Sequence, residues 1–190
     1  MYNWVGVDYG SKMAGTTAVC YAHNEQLILQ QSLAKKDADA WLSDSIKKSN
    51  YNTVYLDAPL SLPKAFFGKG ADFFYRDCDR SCSAMSPMFL GGLTARAMKL
   101  KHQESQLTFL ETYPGYLAKK ILLIKDQYLK KEKYSTHLDQ YLSDLLPIQL
   151  LEMPANWHQV DAILCWISGW RAHQEIGLQI GDQEEGIIYV

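Results

Sequence analysis

Two rhythms of hydrophobic and polar positions run through this chain, and their order predicts its architecture. Trp4-Val5-Gly6-Val7 is a short strand-forming run that ends on a carboxylate, Asp8, before Gly10 and Ser11 turn the chain over. Residues 16–22 and 26–32 are two more strands, joined at Asn24-Glu25 into an antiparallel meander. Residues 37–48 shift to a helical period, with Ala38, Trp41, Leu42 and Ile46 on one side and Asp39, Ser43, Asp44, Lys47 and Lys48 outside. Residues 53–57 form the next strand, and Pro59 and Pro63 stop it because proline cannot donate to a ladder. Residues 60–90 show little periodicity, as functional or mobile loops do.

Beyond that loop the rhythm returns. A helix is expected over 93–104 and a strand over 107–112, closed by Pro114. A helical segment starts at Tyr116, residues 138–146 form another helix, and Asn156 caps the last long one, with Gln159 placed to complete a capping box. Residues 177–190 read as a closing hairpin. The expected fold is one α/β domain over 1–190: a five-stranded mixed sheet in the order 3-2-1-4-5, flanked by helices, with inserted loops and the C-terminal hairpin.

In that arrangement right-handed crossovers make strands one, four and five parallel neighbours. Asp8, Asp57 and Glu111 then stand at their carboxyl ends, the edge where open α/β sheets place ligands. Asp161 can join them, because Asp161, Cys165, Ser168 and Ala172 form one line of small or polar residues that lets the last helix approach the sheet. Carboxylates so gathered repel, and either hold a proton or bind divalent cations. All-oxygen ligands suit Mg2+ or Mn2+, and two ions about 3.5–4 Å apart activate water and stabilise the leaving oxygen of a phosphodiester. The expected catalytic set is therefore Asp8, Asp57, Glu111 and Asp161. Asp8 bridges two ions, Asp57 and Asp161 each complete one, and Glu111 supplies a ligand or orients water, with Lys12 or Lys64 steadying the phosphate. Each acid also has a plain structural role open to it: Asp8 as a turn former, Asp57 as a strand-end cap, Glu111 as an edge residue, Asp161 as a first-turn acid on the helix dipole.

Composition narrows the setting. The net charge of −2 argues against coating nucleic acid by bulk electrostatics, so any such contact is local. No leader and no apolar run near 20 residues is evident, which leads to the expectation of a cytoplasmic protein without membrane contact. Four cysteines do not make a disulfide framework, and Cys78 with Cys82 lacks the second pair a structural zinc needs. Among the histidines His158 draws notice, three residues before Asp161. The lysine-dense stretch Lys119, Lys120, Lys125, Lys130, Lys131 and Lys133, with Tyr128 and Tyr134 interleaved, reads as a solvated helical face or, more sharply, as a phosphate-contacting surface.

Several pieces together carry a family likeness. They are Val5-Gly6-Val7-Asp8 with Ala14-Gly15-Thr16, Asp57-Ala58-Pro59-Leu60-Ser61-Leu62-Pro63, Arg76-Asp77-Cys78-Asp79-Arg80, Glu111-Thr112-Tyr113-Pro114, Val160-Asp161-Ala162 and Glu184-Glu185-Gly186-Ile187. At these positions the chain resembles bacterial and archaeal predicted nucleases of the ribonuclease H-like fold. The resemblance implies that fold, a hydrolase acting on nucleic acid, acidic site residues at Asp8, Asp57, Glu111 and Asp161, and a loop motif at Arg76, Asp79 and Arg80. Arg76 and Arg80 would either orient a phosphate or pair with Asp77 and Asp79 to pin the loop. Two rivals stand beside the nuclease: a non-catalytic scaffold that keeps its acids for ion binding or stability, and a phosphotransferase of the actin and sugar-kinase group, suggested by Asp8-Tyr9-Gly10-Ser11 but needing a second domain.

Overall fold

The structure is a computed structural model that describes residues 2–47, 51–134 and 136–190. Met1 of the expected domain and Lys48 of the expected first helix lie outside the described residues. The strands are β1 (Trp4–Asp8), β2 (Ala18–His23), β3 (Gln26–Gln31), β4 (Thr53–Asp57), β5 (Thr108–Thr112), β6 (Gln179–Asp182) and β7 (Gly186–Tyr189). The helices are α1 (Ala38–Lys47), α2 (Asp77–Cys82), α3 (Pro87–Leu90), α4 (Gly92–Gln103), α5 (Pro114–Tyr116), α6 (Asp139–Leu145) and α7 (Trp157–His173). Shorter turns of helix stand at Lys64–Phe67, Leu117–Ile121 and Thr136–Leu138.

Among the described residues all seven strands join one mixed sheet, ordered β3-β2-β1-β4-β5-β7-β6. This corrects the five-stranded expectation. The closing hairpin does not stand apart: β7 runs parallel to β5, with Glu111 opposite Ile188, and covers the edge that β5 would otherwise leave open. The second strand begins at Ala18 rather than at residue 16 because Thr16 and Thr17 are used in the turn, where their hydroxyls accept from the backbone N–H groups of Ser11 and Gly10. The aperiodic stretch 60–90 contains short helices, α2 and α3 among them, instead of open loop.

Alternation along β1 divides its side chains between two cores. Val5 and Val7 pack with Val19, Leu42, Val54, Leu56 and Leu100 on the face covered by α1 and α4. Trp4 packs with Cys20, Tyr55, Ile163 and Trp166 on the face covered by α7. Asp8 and Asp57 share the parity of Trp4 and Tyr55, so the pleat sends both toward α7.

α7 lies very close to the sheet because small residues face each other there. A Cβ at Gly6 would stand 2.2 Å from the Trp166 nitrogen and 2.5 Å from the Ala162 carbonyl oxygen, so only glycine fits. The small-residue line expected on this helix is in contact: the Cys165 thiol donates to the Val7 carbonyl (3.3 Å), and Thr112 donates to Ser168 (2.8 Å). Asn156 caps α7 by accepting from the N–H groups of His158 and Gln159. Gln159 accepts from Ala155, one residue before the position a capping box requires.

Candidate functional site

Asp8 and Asp57 are direct partners in the parallel register of β1 and β4, each the last residue of its strand. Neighbouring strands lie about 4.8 Å apart, so their carboxylates are adjacent as a consequence of pairing alone. Asp161, in the second turn of α7, is brought down on them by the close contact at Gly6. One carboxylate oxygen from each of Asp8, Asp57 and Asp161 lies within 4.8 Å of the other two. Three distant segments thus meet at one rim.

The surroundings of the three differ. Asp161 is fully buried, accepts from the Tyr128 hydroxyl (2.5 Å) and pairs with the Lys130 ammonium. Asp8 is paired with His158, Nδ1 to Oδ2 at 2.7 Å. Asp57 makes no hydrogen bond and no ion pair among the described residues. Burial, reinforced by the charges of Asp8 and Asp161, pushes its carboxyl well above the usual carboxylate range. Burial and Asp8 raise Asp161 to about 6, against the pull of Lys130 and Tyr128. His158 is raised chiefly by its hydrogen bond to Asp8. For Lys130 burial lowers the ammonium's pKa, but the charge of Asp161 and its hydrogen bond outweigh this, and the net shift is upward.

Glu111 does not join this group. It stands opposite Leu56, which belongs to the α1/α4 core, whereas its neighbour Thr112 reaches α7. A one-residue offset in register reverses the face a side chain takes, and that offset separates Glu111 from Asp57. Its carboxylate accepts from both terminal nitrogens of Arg76 (2.7 and 2.6 Å) and from the Leu60 N–H (2.9 Å). Arg76 is completely buried and also binds Asp79, through Nε at 3.0 Å and Nη2 at 2.6 Å, and Ser61 at 2.8 Å. Burial pushes the Glu111 carboxyl upward, with Arg76 opposing.

The expected substrate-binding cations are placed as follows. Arg76 pins the loop and is not accessible to a ligand. Arg80 pairs with Asp72, not with Asp77 or Asp79, and lies 4.6 Å over the Tyr75 ring. Lys64 pairs with Asp77 at 2.6 Å and stands 3.8 Å from Glu185. Lys12 pairs with Asp37 and lines a separate 500 Å3 cavity between α1 and α4, away from the carboxylates. Neither lysine expected to steady a phosphate touches the three acids. Lys130 does, and it belongs to the lysine-dense stretch singled out in the sequence, although no spacing there points to Asp161. Tyr128 comes with it. His158 was singled out for its place one turn before Asp161, but nothing in that spacing points to the partner it takes, Asp8.

A cavity of about 350 Å3 opens over the cluster. Asp8, Asp57, Asp79, Glu111, Thr112 and Lys130 contribute its polar lining, while Pro59, Met85, Leu90, Leu93 and Tyr113 supply apolar surface. No group of metal-ligating residues among those described includes a cysteine, so Cys78 and Cys82 are buried free thiols of the core. A second acidic group, Asp77, Asp182 and Glu185, is drawn together by structural hydrogen bonds: Glu185 accepts from the N–H groups of Lys64 and Asp77. No described helix is long and apolar enough to cross a membrane. Comparison with family models, curated proteins and solved structures finds no match to this chain.

Proposed function

We propose that the protein is a divalent-metal-dependent nuclease with a ribonuclease H-like core, hydrolysing nucleic-acid phosphodiester bonds at the Asp8, Asp57 and Asp161 cluster. The observation that carries this reading is the state of Asp57: a carboxylate without a partner, set between two other carboxylates at the ligand-binding edge of the sheet. A half-buried anion left unpaired beside like charges is costly and calls for a proton or a cation. The donor set, all carboxylate oxygen, fits Mg2+ or Mn2+. The antiparallel meander β3-β2-β1 continued by parallel β4 and β5, with a fourth acid-bearing element crossing as α7, agrees with a ribonuclease H-like core.

Asp8, Asp57 and Asp161 would hold the ions, which when bound supply Lewis-acid activation of water and charge stabilisation at the leaving oxygen. The chain's own residues do the rest. Tyr128 fixes the orientation of Asp161. Lys130, half exposed, keeps positive charge beside the cluster where a scissile phosphate needs it. His158 holds Asp8 in place and sets an imidazole, able to carry a proton, directly beside it. Glu111, itself on the cavity lining, acts indirectly, by locking Arg76 and the segment at Leu60 that follows Asp57.

The test is turnover of branched, single-stranded and hybrid substrates with Mg2+ or Mn2+, wild type against Asp57→Asn. Metal-dependent cleavage lost in the variant is expected, and a blank panel for both proteins would end the enzymatic reading. The rival scaffold role draws on one specific observation. Lys130 on Asp161, and His158 on Asp8 when protonated, set internal counter-ions against the three carboxylates, as a stable, non-catalytic module would.

A further inference from the structure

We infer that the nucleic acid this site takes is an unpaired strand, and that one base of it is held out of the stack in the apolar cavity over the carboxylates. The inference rests on the nuclease reading for where the phosphate lies, and on separate observations for the strand.

The first observation is the continuity of two unlike surfaces in one cavity. Its lining combines the polar groups of Asp8, Asp57, Asp79, Glu111 and Lys130 with the apolar side chains of Pro59, Met85, Leu90, Leu93 and the ring of Tyr113. At about 350 Å3 it lies in the range of roughly 300–1,000 Å3 over which pockets hold small ligands. A group seated against those walls is covalently close to whatever lies over the carboxylates. For a phosphodiester that group is a sugar and its base, and a base inside a duplex cannot reach it without being extruded.

The second observation is an exposed aromatic rim that runs outward from the same walls. Phe89 precedes the cavity residue Leu90 and is 63% exposed; Phe74, 54% exposed, lies 5.7 Å from it by ring centroids, and Tyr75 lies 5.9 Å from it on another side. Arg80 covers the Tyr75 ring. Met85, on the cavity wall, is 59% exposed. Ser86 holds the two parts together, donating to the Phe74 carbonyl and accepting from the Phe89 N–H. Exposed rings at a fixed spacing are what successive unpaired bases stack on.

The third observation concerns charge. The cations that touch the rim and the carboxylates are engaged, Arg80 with Asp72 and Lys130 with Asp161, whereas Lys131 and Lys133 beyond Lys130 form no ion pair among the described residues. The whole chain carries −2. A duplex offers a protein mainly phosphates, and a surface with its cations paired gains little from them. An unpaired strand offers base faces, which this surface is built to receive.

The experiment is fluorescence anisotropy with a short labelled single strand and the matching duplex, alongside Mn2+-dependent cleavage of both. Phe74→Ala and Phe89→Ala alter exposed side chains, so the fold is expected to hold, and circular dichroism checks it. Wild type should bind the single strand at least about tenfold more tightly than the duplex, and each variant should weaken single-strand binding about tenfold without moving duplex binding. Affinity should fall far less between about 50 and 200 mM salt than the thousandfold or more seen for proteins that neutralise many phosphates. Equal binding of both nucleic acids, untouched by either variant, would overturn the inference. If Asp57→Asn abolishes cleavage while the phenylalanine variants are silent, the nuclease reading stands and this one falls. If strand binding depends on the two phenylalanines and no substrate is turned over, the nuclease reading falls and the strand-binding surface stands. Absence of both binding and cleavage removes both.

Discussion

Two acidic assemblies sit side by side at one end of the sheet, and they solve the same electrostatic problem in opposite ways. Around Arg76, two buried carboxylates, Glu111 and Asp79, share one guanidinium with close hydrogen bonds to each. Around Asp57, three carboxylates face one another, two of them paired with Lys130 and His158 and the third in no hydrogen bond or ion pair among the described residues, with only the nearby charge of Lys130 to offset it. The first assembly is complete as it stands. The second is complete only with a proton or an added cation, and that difference separates a structural acid from a candidate functional one more reliably than position at a strand's end.

The contrast makes predictions of different size. The largest is Arg76→Ala, which strands two buried acids and should destabilise the fold by about 3–5 kcal/mol in urea unfolding. Arg76→Lys should rescue little of it, since an ammonium cannot reproduce the forked contacts. Next, saturating Mn2+ should stabilise wild type by about 2.7 kcal/mol at a hundredfold excess over its Kd. In a domain of this size that is a rise in Tm of about 5–10 °C. Asp57→Asn should lose this gain, while its metal-free form, relieved of one like charge, melts higher than metal-free wild type.

Gly6→Ala should cost about 1–3 kcal/mol by driving α7 off β1. Because Asp161 rides on α7 and the Arg76 assembly does not, this variant should also blunt the Mn2+ response, which thermal melts with and without metal will read. The smallest effect is on pH. The folded-state carboxyl of Asp161 sits at about 6, above its ordinary value, so its contribution to stability is fully present at about pH 4 and below. That contribution is lost as pH rises through 6. Metal-free protein should therefore lose on the order of 1 kcal/mol across that window through Asp161, and Asp161→Asn should shrink the loss without abolishing it, because Asp57 is raised as well, as chemical unfolding at a series of pH values will show.

How far the sequence anticipates this can be traced residue by residue. The strand-terminal positions of Asp8 and Asp57 were legible because apolar runs ended on them, and their adjacency followed from right-handed crossovers. The approach of Asp161 was legible in the small residues along α7. The separation of Glu111 from the three carboxylates was not legible because nothing local encodes the register between two parallel strands, and an offset of one residue decides which face an acid takes. Lys130 and Tyr128 were noticed as a basic, aromatic stretch but could not be assigned to Asp161, since a segment with little regular structure has no period from which to extrapolate. The closing hairpin was visible as a hairpin. Its membership of the sheet was not, because short β7 makes only two register pairs with β5.

The most direct test of the central claim is anomalous diffraction from a crystal of this protein soaked in Mn2+. A peak among the carboxylates of Asp8, Asp57 and Asp161, with none at Arg76, is the predicted result. No peak at the cluster, with Lys130 still seated on Asp161 and His158 on Asp8, would show that the three acids are satisfied from within and would contradict the account.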